Sequence, residues 1–369
     1  MTGEPINYRS AGVDYERIDS LKVRAQQAAR TTARHLGAHG LKEVERSRGE
    51  SAYVIECDGQ LIASITECLG TKVLVADAVR ALSGRSHYDT LAQDTIAMAV
   101  NDLITVGATP LTVHAYWAAG GSEWFHDVER MQDLVRGWQA ACDVCQVSWG
   151  GGETPALAGV VAPGRIDLAA SSVGRVHPRE RLMLGDRLSS GDQIVLFASS
   201  GIHANGVSLA RRLAEQIPAG YGALIADGRR FGEALLDPTV LYPPLLERLY
   251  AAGILPHYAV NVTGHGWRKL MRHPGAFSYR MQQLPPVPPV LDFLRRGAAL
   301  DDREAYGTLN MGAGFALFVA ASDAARVVRT AQASGIEAWV AGHVESGPRR
   351  VLIEPLGITY EADELALRG

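Results

Sequence analysis

The sequence predicts a globular protein with two domains of the α+β or α/β class. Its 369 residues exceed what one ordinary compact core requires. Strand-like runs alternate with helical patterns, which indicates layers of sheet and helix. The composition changes at His177-Pro178, where a charged run follows. We place the domain boundary there, with one domain over residues 1–178 and another over 179–369.

Composition and charge narrow the class of protein. Hydrophobic residues make up 47% of the chain and charged residues 21%, which excludes large-scale disorder. A net charge of -4 gives no long-range attraction to nucleic acid or to an anionic membrane, so we expect neither as a partner. The polar N-terminus has no signal-peptide pattern, and no apolar run reaches the roughly 20 residues that span a bilayer. We therefore expect a cytoplasmic enzyme.

The first half of the chain alternates between segments with the period of a strand and segments with the period of a helix. Asp58-Gly59 between two β-rich runs is a strong hairpin signal. Gly107 and Pro110 end the longest helical pattern. The predicted elements are a helix over 14–35, strands over 52–56 and 61–64, a turn over 67–72, a helix over 90–106, a strand over 111–117, a helix over 127–145, and strands over 147–149 and 166–176.

The second half repeats this alternation. A proline cluster over 284–289 can dock into a polyproline-recognition domain, but a rigid internal connection is the simpler interpretation. The predicted elements are a strand over 192–198, a helix over 206–216, a loop with a short helix over 217–235, a helix over 242–252, a turn over 263–266, a helix from Trp267, a strand over 314–319, a helix over 323–334 and a strand over 338–343.

Cys142 and Cys145 form a CxxC, the spacing of many redox and metal sites. No second CxxC or neighbouring pair of histidines completes a zinc set. The alternative interpretation is two small residues on one face of the helix over 127–145 that point into the core, and we prefer it.

Four clusters of glycine and polar residues follow predicted strands. Glycine lets backbone amides approach an anion closely, and the start of a helix favours phosphate. One such cluster is a weak signal, but four that carry acidic, basic or imidazole groups predict a phosphate-binding site. They are Glu67-Cys68-Leu69-Gly70-Thr71-Lys72, Gly150-Gly151-Gly152-Glu153-Thr154, Ser199-Ser200-Gly201-Ile202-His203-Ala204-Asn205-Gly206 and Thr263-Gly264-His265-Gly266.

Polar residues also interrupt the apolar helix over 90–106. Asp94 and Asn101 share a face, and Asp102 borders it. Buried carboxylates need a cation or solvent, and Mg²⁺ uses one or two of them together with phosphates. We therefore predict a Mg²⁺ site of Asp94 or Asp102 near Glu67; the alternative is a solvated polar stripe.

The order of these motifs resembles the phosphoribosylformylglycinamidine cyclo-ligase (aminoimidazole-ribonucleotide synthetase) family across almost the whole chain. The landmarks that carry the resemblance are Tyr8-Arg9-Ser10-Ala11-Gly12-Val13-Asp14, Gly70-Thr71-Lys72, His87, Asp94, Ala97 to Leu103, Gly107 to Leu111, Gly151-Gly152-Glu153-Thr154, Ser199-Ser200-Gly201, His203, Asn205-Gly206, Ser208-Leu209, Asn310, Gly312 and Gly314.

The resemblance implies a two-domain protomer whose N-terminal sheet forms a dimeric barrel with a partner, so a homodimer is expected. It also implies ATP and Mg²⁺ as cofactors. The γ-phosphate of ATP would activate the formyl oxygen of formylglycinamidine ribonucleotide, and the amidine nitrogen would then close the ring. The catalytic residues implied are His203, Lys72 and Glu67. The ATP- and substrate-binding residues are Gly70, Thr71, His87, Asn101, Gly151, Gly152, Glu153, Thr154, Asn205, Thr263, Gly264 and His265, and the metal ligands are Asp94, Asp102 and Glu67.

The sequence departs from the family mainly around the expected substrate. The departures are Glu67-Cys68, Ala115, Pro155 to Ala158 and His265, which stands within a triple glycine of the family. These departures bear on the identity of the substrate more than on the use of ATP, because polar groups of a site that a substrate leaves unpaired lower its affinity steeply. The alternatives are a paralogue acting on another amide or amidine, a small-molecule kinase of the same superfamily, and a non-catalytic nucleotide-binding subunit. His265 either contacts an altered substrate or is an exposed turn residue.

Overall fold

Two separate β-sheets organise the chain. The structure is a computed structural model, and it describes Gly12 and residues 15–365. Of the motif at residues 8–14, all but Gly12 lie outside the described residues. Each sheet takes its strands from one half of the sequence, and the predicted boundary at residue 178 falls in the connection between them. The division into domains at that residue remains our proposal.

The first sheet has six strands in the order β1-β2-β3-β6-β4-β5. Only β4 and β5 pair in parallel, so the layer is of the α+β type. The strands are β1 Lys42–Glu43, β2 Tyr53–Cys57, β3 Gln60–Cys68, β4 Thr109–Ala119, β5 Ser148–Glu153 and β6 Ile166–Val176. The helices are α1 Tyr15–Thr32, α2 Arg34–Gly37, α3 Lys72–Ser83, α4 Tyr88–Leu103 and α5 Val128–Cys145.

Helix α4 covers one face of this curled sheet, and α5 packs on α4. On the other face, burial alternates along β3 and β4 with the two-residue period of a strand. Leu111 and Tyr116 of β4 lie there with 44% and 37% of their surface exposed. The first sheet therefore has one covered face and one open face.

The second sheet has seven strands in the order β13-β12-β9-β11-β7-β10-β8, with only β12 and β9 parallel. Strand β10 is fully buried at its centre. The strands are β7 Gln193–Ala198, β8 Tyr258–Asn261, β9 Phe277–Met281, β10 Ala313–Val319, β11 Ala338–Ser346, β12 Arg350–Ile353 and β13 Ile358–Glu361. The helices are α6 Val207–Gln216, α7 Phe231–Leu235, α8 Pro243–Ala251, α9 Pro289–Gly297, α10 Asp302–Tyr306 and α11 Ala321–Gln332.

Most predicted elements are present, and the local signals explain why. Asp58 and Gly59 have φ of 49° and 76°, so the predicted hairpin closes through two left-handed residues. Gly107, with φ of 84°, ends the segment begun by α4. Cys142 and Cys145 are buried in the core, and burial raises the pKa of their thiols to about 11 and about 12. The structural interpretation of the CxxC is confirmed.

Several elements were missed. The segment predicted as a turn over 67–72 is in fact the end of β3 and the start of α3, separated by Gly70 with φ of 74°. Helix α9 begins at the last residue of the proline cluster, which lies between β9 and α9. Strands β8, β9, β12 and β13 have only four or five residues each, too few for their periodicity to predict a strand.

No helix in the described part of the chain combines the length and apolarity needed to cross a bilayer.

Candidate active site

A polar cavity of about 300 Å³ lies between β3, α4 and the segment after β8. It brings together six residues predicted from the sequence and six that were not. The predicted residues are Glu67, Asp102, Asn205, Thr263, Gly264 and His265. The others are Lys22, Glu50, Ser51, Met98, Lys269 and Arg272.

Three carboxylates line the cavity; Glu50 lies 3.7 Å from Arg272, and the other two form what we call the acidic side. Glu67 is the penultimate residue of β3, and Asp102 lies on α4 one turn after Met98. The side-chain amide of Asn261 donates a 2.7 Å hydrogen bond to Oδ1 of Asp102 and fixes its orientation. Burial, and then the negative charge of Asp102, raises the pKa of Glu67 to about 7. Such a pair favours a cation or a proton between the two carboxylates.

Two cationic side chains form the basic side. A short 3₁₀ helix, Gly266–Met271, follows the glycine-rich turn and carries Lys269, with Arg272 just after it. The ammonium of Lys269 donates a hydrogen bond to the Thr263 hydroxyl, and burial lowers the pKa of Lys269 to about 8. Arg272 donates to Ser51 Oγ at 2.8 Å. Both cations are therefore held in place by neighbouring groups.

The acidic side fits Mg²⁺ only together with a further ligand. Among the residues that the structure describes, no group of three or more His, Cys, Asp or Glu side chains is arranged to hold a metal. Mg²⁺ commonly takes one or two carboxylates and completes its shell with water and phosphate oxygens. Glu67 and Asp102 match that pattern, because both line one cavity together with Lys269 and Arg272.

Lys72 and Asp94 are not part of this cavity. Lys72 Nζ lies 2.6 Å from Asp94 Oδ2, and neither side chain is exposed. The ammonium also donates to the carbonyls of His203 at 2.8 Å and Asp237 at 3.2 Å. Asp94 accepts from the backbone and hydroxyl of Thr239 at 2.7 and 2.6 Å. In this structure their charges neutralise each other in the interior. The roles of Lys72 as a phosphate contact and Asp94 as a metal ligand stay predictions.

The side chains of Asn101 and His203 also form hydrogen bonds inside the protein. The Asn101 amide donates to the Val240 carbonyl at 2.8 Å and accepts from Tyr242 N at 3.0 Å. His203 Nε2 accepts from Ser200 N at 3.2 Å, and burial lowers the pKa of its imidazole to about 3. The ring is buried in this structure and does not line the cavity, and its catalytic role stays a prediction.

The remaining predicted residues are spread over other parts of the molecule. The Thr71 hydroxyl lies 3.4 Å from that of Ser208. His87 precedes α4 and is 9% exposed. None of the following lines the cavity: Gly70, Thr71, His87, Gly151, Gly152, Glu153 and Thr154. The last four are exposed at and just beyond the end of β5, an edge strand.

Sequence reasoning missed the basic side of the cavity. Lys269 and Arg272 follow the Gly264-His265-Gly266 turn and lie three residues apart, which is the spacing of one helical face. That spacing was the available signal. Lys22, Glu50 and Ser51 gave none, because only the tertiary fold brings their segments to β3 and α4.

The chain matches two family models that together cover most of its length. Residues 49–176 match the N-terminal domain of AIR synthase related proteins, and residues 189–354 match the C-terminal domain. The chain belongs to the AIR synthase related family. The cavity between its halves draws residues from both matched segments.

Full-length relatives agree with this assignment. The phosphoribosylformylglycinamidine cyclo-ligase of Symbiobacterium thermophilum is 35% identical over 371 residues, covering 96% of this chain and 99% of the relative. The protein of the same name from Carboxydothermus hydrogenoformans is 32% identical, covering 95% and 99%. The resemblance found in the sequence is therefore confirmed, and these relatives are named as ligases.

Solved structures share the fold at lower identity. Thiamine-monophosphate kinase from Stenotrophomonas maltophilia is 19% identical with a TM-score of 0.58, over 83% of this chain and 90% of that one. The hydrogenase maturation protein HypE, solved in complex with ATP, is 16% identical with a TM-score of 0.58, over 81% and 83%. The predicted two-domain AIR synthetase-like fold is confirmed.

Proposed function

We propose that this chain is an ATP- and Mg²⁺-dependent cyclo-ligase that converts formylglycinamidine ribonucleotide to aminoimidazole ribonucleotide. The observation that carries the proposal is the cavity in which Glu67 and Asp102 face Lys269 and Arg272. This arrangement suits a metal-bound phosphate group, which needs carboxylates for the metal and cations for its own oxygens. The full-length relatives named for this reaction supply the substrate class.

Each side of the cavity has its own role. Lys269 and Arg272 bind phosphate oxygens, the role that the sequence had given to Lys72. Glu67 and Asp102 would hold Mg²⁺, which would supply positive charge to offset that of the phosphates. Asn205, Thr263 and the Gly264 backbone provide hydrogen-bonding groups along the wall. A polar enclosed site of this kind orients the reacting groups without further catalytic side chains.

The chemistry follows from the poor leaving ability of an amide-type oxygen. Transfer of the γ-phosphoryl group to the formyl oxygen forms an O–P bond and releases ADP. The amidine nitrogen then attacks the activated carbon, the C–O bond breaks, and inorganic phosphate departs with the oxygen. Loss of a proton from nitrogen completes the imidazole ring. Positioning and charge neutralisation are the contributions expected of the protein.

A homodimer belongs to the same proposal. The open face of the first sheet includes Leu111 and Tyr116, which are large apolar residues exposed on one strand. A second copy that covers this face would complete a barrel and remove those side chains from water. Burial of apolar surface is the main driving force for such association.

The test is to incubate the pure protein with ATP, Mg²⁺ and formylglycinamidine ribonucleotide, and to follow ADP and imidazole together. Equal amounts of both products, absent without ATP, are expected. ADP without imidazole would indicate a phosphotransferase acting on another acceptor, and no ADP would indicate a non-catalytic subunit. A catalytic efficiency equal to that of the Symbiobacterium thermophilum relative would show that the departures at Glu67 and His265 are neutral.

A further inference from the structure

Helix α1 lies beside the cavity with little apolar anchoring. Ile18 and Leu21 on this helix are 39% and 69% exposed. Lys22, on the same helix, lines the cavity. Because Ile18 and Leu21 contribute little burial, polar contacts of α1 help to fix where the helix lies.

One of those polar contacts joins α1 to the second half of the chain. Nε2 of His265 lies 2.9 Å from Oδ2 of Asp19, across 246 residues of sequence. The two side chains are 8% and 16% exposed. Burial keeps the imidazole neutral near pH 7 by lowering its pKa to about 4, so the ring N–H donates to the carboxylate. This bond ties α1 to the glycine-rich turn.

The backbone at His265 is unusual for a residue with a side chain. Its φ of 69° is in the left-handed region, which favours glycine and asparagine. Gly264 and Gly266 flank it. A side chain at this position is therefore conformationally costly, and the bond to Asp19 is a contact that offsets the cost.

The same carboxylate also lies near a cation. Asp19 Oδ1 lies 3.6 Å from Lys22 Nζ, one turn along α1. Lys22 thereby joins Lys269 and Arg272, which both line the cavity. A third cation at this position suits a second anionic group on the ligand, because one phosphate is already matched by Lys269 and Arg272.

We propose that the Asp19–His265 pair fastens α1 across the cavity, making His265 a positioning residue and Lys22 a ligand for a phosphate monoester. The proposal rests on the proposed function, in which the substrate is a ribonucleotide. The phosphate belongs either to that ribonucleotide or to the nucleotide cofactor. His265 then determines specificity, because without it α1 and Lys22 lose their fixed place beside the bound substrate.

The first experiment measures amide hydrogen exchange of residues 15–32 without any ligand, so its outcome is independent of activity. His265→Gly and Asp19→Ala should each raise the exchange rate of α1 about tenfold. His265→Gly is expected to fold, since glycine favours the backbone conformation at this position. His265→Gln should preserve protection, because its amide nitrogen reaches the position of the imidazole Nε2 and donates to Asp19. Arg24→Ala, on an exposed part of α1, is the matched control.

The second experiment separates the source of the phosphate. In His265→Gly, Asp19→Ala and Lys22→Ala, KM for formylglycinamidine ribonucleotide should rise about tenfold with kcat little changed. His265→Gln should keep the wild-type KM. A rise in KM for ATP instead would assign the phosphate to the nucleotide and would still support the proposed role of the Asp19–His265 pair. Unchanged exchange of α1 in both His265→Gly and Asp19→Ala, or unchanged KM for both ligands, would overturn the proposal. A wild-type protein without turnover would contradict the proposed function alone. The hydrogen-exchange data would then test by themselves whether the Asp19–His265 pair holds α1 in place.

Discussion

Lys72 Nζ and Asp94 Oδ2 form an ion pair of 2.6 Å that is closed to solvent on all sides. The pair joins the start of α3 to the middle of α4, and its members also bind the segment from Asp237 to Thr239. It therefore connects the two halves of the chain. The motif pattern predicts that these two residues bind phosphate and metal, and in this structure they hold the two halves together.

Removing one member of this pair should destabilise the fold. Lys72→Met leaves Asp94 as an uncompensated buried charge, a change that typically costs about 3–5 kcal/mol. The free energy of unfolding from urea titration measures it. The double variant Lys72→Met with Asp94→Asn should recover much of the loss, because it removes both charges and leaves an amide oxygen to accept from Thr239. A stable Lys72→Met protein that has lost ATP affinity would return Lys72 to the nucleotide site.

His203 should make the protein sensitive to mild acid. Its buried imidazole has a pKa near 3, below the value of about 6.5 in an unfolded chain. The unfolded state therefore binds a proton that the native state excludes, and stability falls as pH decreases from about 6.5 toward 3. Relative to His203→Asn, which tolerates the φ of 57°, the wild type should lose about 2 kcal/mol more between pH 6.5 and 5. Parallel stability curves in urea titrations at several pH values would contradict this.

The carboxylates of the cavity should control the requirement for Mg²⁺. Asp102→Asn and Glu67→Gln each remove one charge without changing size, so the Mg²⁺ concentration for half-maximal turnover should rise about tenfold or more. Asp94→Asn is the matched control, since Asp94 lies outside the cavity. It should lower stability while leaving the Mg²⁺ dependence of the remaining activity unchanged. If the Mg²⁺ concentration for half-maximal turnover rose only in Asp94→Asn, this assignment would be wrong.

The basic side should govern nucleotide affinity. Lys269→Met keeps the length of the side chain but removes its charge, and should weaken binding of ATP about 10- to 100-fold, since hydrogen bonds to charged groups contribute about 1.5–3 kcal/mol. Isothermal titration with ATP and Mg²⁺ measures the change. Lys42→Met, at an exposed position of β1, controls for loss of net charge. Equal affinity in both variants would remove Lys269 from the phosphate site.

The open face of the first sheet should be required for association. Leu111→Asp places a charge where a second copy is proposed to pack, and burying an unpaired carboxylate costs several kcal/mol. Sedimentation analysis should show a dimer for the wild type and a monomer for this variant. Leu224→Asp introduces the same charge at a position that is 69% exposed in the second half and should leave the dimer intact. A monomeric wild type would contradict the proposed dimer.

Sequence reasoning identified the acidic side of the cavity because its residues belong to recognisable patterns. Glu67 lies in a glycine-containing cluster, and Asp102 interrupts an apolar helix. It did not separate Asp102 from Asp94 eight residues earlier, because both are carboxylates on the same helix. Their surroundings differ only through tertiary partners, which are Asn261 for one and Lys72 with Thr239 for the other.

The sequence by itself determined the local elements and the family. The Asp58-Gly59 hairpin, the extent of α4 and the order of the glycine motifs depend on neighbouring residues, so periodicity and turn chemistry were sufficient. The tertiary structure alone decided which polar side chains face the cavity. Lys269 reaches it while Lys72 is buried in an ion pair, because solvent access and charge partners are set by segments more than 100 residues apart.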